Sequence, residues 1–331
     1  MTGGVPLEEG FVRYDGGYGK DNLADLAIGL LEQQKERWPA LAEGCRALAK
    51  ARTREIRGAG WTIKVQFNPQ RIVSSGASVD PESIRRRPCF LCANHRPREQ
   101  RAILYRGDYL VLCNPMPIFP GHWTIAHRSH LPQSLRGNMA SFLGLARDFG
   151  SGMVVLYNGP HAGASAPDHL HFQAAPAGLM PVEEESLDPR KKTGSRHLGG
   201  VEIFRVKDLA RGLVVIDGKD EGEVAAAAGA VVDAFGRLFP SGDEPMLNLI
   251  CRHTTEGWRL LLFPRRKHRP DAYARDGEDG LLISPGAVDM GGMIITPRER
   301  DFLALTPARV SGIFREVALD GAEVDALLNA L

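Results

Sequence analysis

The sequence predicts an α+β fold built on antiparallel sheet with flanking helices, and three observations predict it. Short strand-like runs separated by Pro, Gly and Asn turns follow one another from residue 61 onward, as in meanders rather than in strict β-α alternation. Helical periodicity is confined to a few segments, and no Gly-x-Gly-x-x-Gly or Walker loop is present, which excludes Rossmann and P-loop architectures.

Taken in order, residues 21–57 carry Leu23, Leu26, Ile28, Leu30, Leu31, Leu41 and Leu48 at helical spacing with Pro39 between them, giving two N-terminal helices. Strand candidates follow at 61–67, 102–104, 109–113 and 123–126, then a helix at 138–149 and a strand at 153–157. A glycine-containing loop, 158–168, leads into a strand bearing histidines. Residues 181–200 are polar and mixed in charge and read as a mobile surface loop. Strands at 201–206 and 212–216, a helix at 223–239 ended by Pro240, a strand pair at 246–251 and 258–263, a strand at 292–296 and C-terminal helices complete the chain.

With 331 residues, 43% hydrophobic and 24% charged, the chain reads as one large or two ordinary globular domains. A formal net charge of +1 offers no field suited to a polyanion, so nucleic acid is excluded as main ligand. Residues 1–19 show no basic leader or apolar signal run, and no stretch reaches membrane-spanning length, so a cytoplasmic location is expected, without membrane partners. Of five cysteines only Cys89 and Cys92 are close together, and in a reducing compartment that pair points to metal.

Two constellations carry chemistry. In His169-Leu-His171-Phe-Gln173, strand alternation places both imidazoles and the carboxamide on one face and turns Leu170 and Phe172 to the core. One imidazole can attack phosphorus or bind metal, and the amide can hold a phosphoryl oxygen. Upstream, the small residues Gly163 and Ala164 with Ser165 let backbone amides and a hydroxyl approach a phosphate. In the second, Cys89-Phe-Leu-Cys92 with His95, His122, His127 and His130 downstream makes a tetrahedral zinc site if the fold gathers two thiolates and two imidazoles. The basic run 265–269 is either an exposed loop or a phosphate clamp through Arg265 and Arg266.

These residues, with Phe67-Asn68-Pro69, the block Cys89 to Arg96, Pro120-Gly-His-Trp to Pro132 and Asn158 through Gln173, make the sequence similar to the galactose-1-phosphate uridylyltransferase and diadenosine tetraphosphate phosphorylase branch of the histidine triad superfamily. GDP-hexose phosphorylases share the H-x-H-x-Q arrangement. Leu170 departs from the proline that the family commonly places between the histidines. The resemblance implies a pseudo-duplicated core of two half-barrel units: an N-terminal helical segment (1–60), a catalytic unit (61–180), a connection of loop, strands and helix (181–244), and a degenerate second unit with C-terminal helices (245–331).

It further implies that His171 is the nucleophile, assisted by Gln173 and Ser165. Asn68, Asn158, Gly163, Ala164, Arg265 and Arg266 become substrate-binding positions. Structural zinc falls to Cys89, Cys92, His130 and His169, with His127 a competitor for the third place. The implied activity is nucleotidyl transfer, as in an ATP adenylyltransferase, from a dinucleoside polyphosphate or nucleotide sugar to phosphate or a sugar phosphate. The implied assembly is a monomer or homodimer. A nucleotide hydrolase and a non-catalytic nucleotide- or zinc-binding protein are the alternatives.

Overall fold

Leu170 and Phe172 are fully buried on one side of the histidine strand, and this alternation orients everything around the site. The computed structural model describes residues 12–16 and 22–331. The expectation for residues 1–19 falls largely outside the described residues.

Among the described residues the strands are β1 (Val12–Tyr14), β2 (Arg52–Arg57), β3 (Thr62–Phe67), β4 (Ala102–Tyr105), β5 (Tyr109–Cys113), β6 (Trp123–His127) and β7 (Met153–Asn158). They continue with β8 (His171–Pro176), β9 (Lys192–Leu198), β10 (Val201–Val206), β11 (Val214–Gly218), β12 (Leu247–Thr254), β13 (Gly257–Pro264) and β14 (Met293–Thr296). Eleven of them form one sheet in the order β1-β4-β5-β6-β8-β7-β12-β13-β11-β10-β9, and β14-β3-β2 form a second. All pairings in the large sheet are antiparallel except that of β1 with β4.

The expected α+β class with antiparallel sheet and flanking helices is observed, but the half-barrels are not. Among the described residues the large sheet is open, with edges at β1 and β9, and β7 pairs directly with β12 through Asn158↔Asn248 to Val155↔Cys251. The order β4-β5-β6, helix Met139–Phe149, β7-β8 recurs as β9-β10-β11, helix Glu221–Leu238, β12-β13, and the two sets meet at that pair. The recurring order starts at Lys192, not at the expected 245, because residues 181–200 are ordered: a helix Pro181–Glu185, a 3-10 turn Pro189–Lys191, and β9. The segment expected to be helical up to residue 60 holds the helices Leu23–Arg37 and Pro39–Ala49, and also β1 and β2. Asn22 caps the first helix by accepting from the Asp25 amide at 2.8 Å, and Pro39 occupies the first turn of the second, where its missing N–H costs nothing.

Both faces of the large sheet are buried. On one, Val155, Tyr157, Phe172, Leu249 and Leu262 pack against Leu23, Phe142, Val231 and Leu327 of the long helices. On the other, Leu156, Ile250, Leu261 and Val215 meet Ile63 and Val65 of β3, Ile294 of β14 and Phe314 of the helix Pro307–Val317. Farther along this second face, Cys89 and Leu91 pack on Leu104, Leu110 and Ala126. The gap between these two coverings is where His171, paired with Ala126, and Gln173, paired with Thr124 and Leu156, are exposed to a cavity.

One buried cation closes the seam. Arg265 is 1% exposed and spends its guanidinium on five acceptors at 2.6–3.0 Å: the carbonyls of Val317, Pro285, Lys267 and His268, and Asn248 Oδ1. Asn248 in turn donates to Asn158 Oδ1 at 2.8 Å, joining β12 to the end of β7. Replacing Arg265 by Ala orphans these acceptors, so Arg265→Ala should lower unfolding stability by roughly 3–5 kcal/mol in urea titration. A loss under about 1 kcal/mol would remove this residue from the seam.

Candidate functional site

The site is assembled around His169. The chain leaves the loop 158–168, passes His169 and Leu170, and enters β8 only at His171, so His169 precedes the strand rather than sharing its face with His171 as alternation had suggested. Its imidazole turns to the two cysteines, with Nδ1 at 3.3 Å from Cys89 Sγ and 3.6 Å from Cys92 Sγ. Its Nε2–H donates to the His127 carbonyl at 2.7 Å, which leaves the Nδ1 lone pair for a metal.

His130 Nδ1 lies 3.1 Å from Cys92 Sγ, and its Nε2 faces Asp168 at 3.6 Å. The ligand atoms of Cys89, Cys92, His130 and His169 all fall within 4.8 Å of one another. A zinc tetrahedron with bonds of ~2.3 Å to sulfur and ~2.0 Å to nitrogen has edges of roughly 3.5 Å, so this donor set fits a structural zinc ion. His130 is the third member; His127 contributes its carbonyl, while its ring stands edge-on to Tyr109. His95 donates to the Cys89 carbonyl at 3.1 Å and is no ligand. None of the five cysteines forms a disulfide, and burial together with the neighbouring Cys89 pushes the Cys92 thiol up to about 11.

The carbonyl of His169 does a second job. It accepts from Nδ1–H of His171 at 2.8 Å, and since a carbonyl cannot donate, the neutral ring must carry its proton on Nδ1 and its lone pair on Nε2. Burial is the main cause that brings His171 down to about 4, so the ring is neutral at ordinary pH. Gln133, buried in the loop after β6, fixes the backbone here: its Oε1 accepts from His171 N at 2.8 Å and its Nε2 donates to the His171 carbonyl at 3.0 Å.

A parallel relay sets Gln173. The Ile118 amide donates to His122 Nδ1 at 3.3 Å, so His122 carries its proton on Nε2 and donates to Gln173 Oε1 at 2.8 Å. The Gln173 NH2 group is thereby left as the donor end. Burial first, and Arg71 second, bring His122 down to about 4 and keep it neutral. His122, considered in the sequence only as one of the histidines near the cysteine pair, is outside the metal cluster and serves Gln173 instead; Gln133 was missed because nothing local marks it.

His171, Gln173, Ser165 and Thr124 face a cavity of about 700 Å³ whose other walls include Phe90, Leu91, Asn114 and Arg71. The volume and mixed lining suit a nucleoside-sized ligand. Gly163, Ala164, Ser165 and Asn158 border an adjoining smaller cavity. Gly163 has φ +94°, and a Cβ there would lie 2.7 Å from Gly286 Cα, so glycine is required for this loop to reach the 285–286 turn. Arg87 ties the loop to the cysteine turn by donating to the Ser165 carbonyl at 3.0 Å and to Asp168 at 3.2 Å.

Three expected binding residues are elsewhere. Asn68 is buried and donates to Gln66 Oε1 and the Pro117 carbonyl. Arg265 is spent on the seam. Arg266 bonds the Ala318 carbonyl and Glu323. The first two are locked in by burial, the third by its ion pair, so none of them is placed to clamp a phosphate.

Residues 30–176 match the model of a family described as "Domain of unknown function (DUF4922)". No curated protein sequence matches the chain. Among solved structures, the fold is similar to the crystal structure of yeast Ap4A phosphorylase Apa2, at 15% identity over 87% of this chain and 97% of that chain, with TM-score 0.60. It is also similar to the complex of that yeast enzyme with AMP (16% identity, 87% and 95% covered, TM-score 0.56) and to its complex with Ap4A (14%, 87% and 97%, 0.54). The chain therefore shares the fold of that yeast enzyme. Among the described residues no helix is long and apolar enough to cross a membrane.

Two outcomes are expected. Purified protein should contain one zinc per chain, and Cys89→Ser should lose it together with several degrees of thermal stability; metal-free protein with unchanged stability would contradict the assignment. The second concerns acid. His122 and His268, both brought to about 4 chiefly by burial, take up protons in the unfolded chain from ~6.5 downward but in the folded chain only near 4, so each lowers stability as pH falls between those values. Asp289, raised to about 6 by burial, acts in the opposite direction below that pH. The urea midpoint should thus decline between pH ~6.5 and ~4, and decline less in His268→Gln; an equal decline in the variant would be against it.

Proposed function

We propose that the protein is a nucleotidyltransferase acting through a covalent nucleotidyl-His171 intermediate, with a dinucleoside polyphosphate or nucleotide sugar as donor and a phosphate-type acceptor. The observation that carries this reading is the bond from His171 Nδ1–H to the His169 carbonyl, which presents Nε2 as a permanent nucleophile beside Gln173. Nε2 attacks the α-phosphorus, the P–N bond forms, and the bond from phosphorus to the leaving phosphate oxygen breaks. The imidazole keeps its Nδ1 proton throughout, and the positive charge it gains is stabilised by the His169 carbonyl. The Gln173 NH2 group holds a non-bridging oxygen, and the Ser165 hydroxyl lies on the same wall. The acceptor oxygen then attacks phosphorus and returns the electron pair to Nε2. Cys89, Cys92, His130 and His169 would hold the zinc ion, which would supply a cross-link fixing the turn preceding β8.

A glutamine in place of a third histidine supports transfer over hydrolysis, since a carboxamide does not titrate near neutral pH and so cannot serve water as a general acid or base. The similar yeast enzyme is named for phosphorolysis of Ap4A and was solved with AMP and with Ap4A, so Ap4A is the first donor to test. With α-labelled donor, wild type should take up acid-labile label. His171→Gly should lose both the label and at least about three orders of magnitude in rate, while keeping its metal. His169→Asn should lose metal. Near-normal turnover by His171→Gly without added imidazole would defeat the scheme, and products unaffected by added phosphate would replace transferase by hydrolase.

A further inference from the structure

Beyond Leu156↔Gln173, the last paired position of β7 with β8, the ladder gives way to a side chain. Gln133, 3% exposed, reaches in from the loop after β6 and donates Nε2–H to the Asn158 carbonyl at 2.8 Å and to the His171 carbonyl at 3.0 Å, while its Oε1 accepts from His171 N at 2.8 Å. One carboxamide thus stands where a strand neighbour would, and the backbone of His171 takes its place from it. A wedge of this kind is only as well placed as the loop that carries it.

That loop is clasped from the other recurring set of elements. Glu244, 7% exposed, lies between the helix Glu221–Leu238 and β12. Its Oε2 accepts from the Leu135 amide at 2.5 Å and from Ser134 Oγ at 3.1 Å, and its Oε1 accepts from the Tyr157 hydroxyl at 2.6 Å. Burial first, and the Glu244 charge second, push the Tyr157 phenol well up, so it stays a donor. Tyr157 is itself fixed, fully buried in β7 with its ring 5.9 Å from that of Phe172 in β8. Glu244 therefore ties the two residues that follow Gln133 to the strand beside His171.

Two features make this more than a fastening of the fold. The path to the nucleophile is short, because Ser134 adjoins Gln133 in the chain and Gln133 bonds the His171 backbone on both sides. The clasp also has no other reach into the site: Gln133, Ser134, Leu135 and Glu244 line neither cavity. A displaced loop thus changes where Nε2 points without changing what a ligand touches. Misplacing a reacting atom by about 1 Å costs on the order of 10²-fold in rate.

We infer that Glu244 is a positioning residue for His171, acting through Gln133, an inference that rests on the nucleotidyl-transfer reading above. The second recurring set, whose β13 carries no histidine, thereby aims the nucleophile of the first. The demand on residue 244 is for two polar ends at a fixed spacing rather than for a charge. A glutamine meets it by turning its oxygen to Leu135 and Ser134 and its NH2 group to the Tyr157 hydroxyl oxygen. An aspartate, one carbon shorter, keeps the charge but cannot span both partners.

The test compares Glu244→Leu, Glu244→Asp and Glu244→Gln with wild type, each as the zinc-loaded full chain, in phosphate-dependent turnover of Ap4A. The His171 ring is read in parallel by NMR with labelled ring nitrogens, its signal assigned by its loss in His171→Gly. Glu244→Leu should lower kcat at least about tenfold with KM within about threefold, and Glu244→Asp should lower kcat roughly threefold or more. Glu244→Gln should stay within about twofold of wild type. In Glu244→Leu the Nδ1–H tautomer signal of His171 should shift or become mixed with the other tautomer. Val224→Ala, in the first turn of the helix Glu221–Leu238 beside Val201 and Gly218, should lower the urea midpoint but leave kcat and the ring signal unchanged. Should Glu244→Leu fail to fold, Glu244→Asp decides. Unchanged kcat and ring signal, a loss carried by KM, or more activity in Glu244→Asp than in Glu244→Gln overturns the inference. If the ring signal responds to residue 244 but α-labelled Ap4A never labels His171, the hold on the ring stands and its catalytic meaning falls with the nucleotidyl reading. If His171 is labelled but neither kcat nor the ring signal responds to residue 244, this inference alone falls.

Discussion

One residue is asked to do two things at once. The side chain of His169 belongs to the thiolate-imidazole cluster, and its carbonyl belongs to His171. Because both groups hang on the same backbone unit, whatever holds the ring fixes the carbonyl, and the carbonyl fixes which nitrogen of the next histidine carries a proton. The thiolate-imidazole cluster and the proposed nucleophile are thus coupled through the covalent frame of one residue and one hydrogen bond. The His127 carbonyl completes the arrangement by taking the other proton of His169, so the residue has no freedom to rotate without losing partners on two sides.

The cavity exists because two separate coverings protect the same face of the large sheet without meeting. The cysteine turn covers β4 to β6, and the small sheet with its helices covers the half beyond β7. Polar side chains on β8 are tolerable only in the interval, and there His122 supplies a partner to the Gln173 oxygen and Gln133 to the His171 backbone. The seam between β7 and β12, pinned by Asn158, Asn248 and Arg265, fixes the width of that interval.

The parts of the site legible in the sequence were those written in short spans. Cys89 and Cys92 are three apart, His171 and Gln173 two apart, and strand alternation or ligand spacing translates such spans into geometry directly. Arg71 and Arg269 were not legible because they reach the cavities from distant segments joined only by packing, and the role of His122 was not legible because it meets Gln173 only through the pairing of β6 with β8. The basic run 265–269 shows the limit well: hydropathy cannot say that Arg265 is buried under five acceptors while Arg269, four residues on, faces the smaller cavity. The fold followed the same rule. The apolar strands were found within three residues at each end, whereas β1, β2 and β9, at sheet edges, hid in polar sequence. Lys192 to Leu198 has one apolar residue in seven, as an exposed edge that must resist further pairing tends to have.

The central claim is that Nε2 of His171 becomes bonded to phosphorus while Nδ1 stays on the His169 carbonyl. Peptide mass spectrometry of the zinc-loaded chain, quenched at high pH during turnover of Ap4A, reads this most directly. A nucleotidyl group on the peptide containing His171, with fragment ions placing it on that residue, is the predicted result. Modification of His122 or His169 instead, or steady turnover with no modified protein at any time, would contradict it.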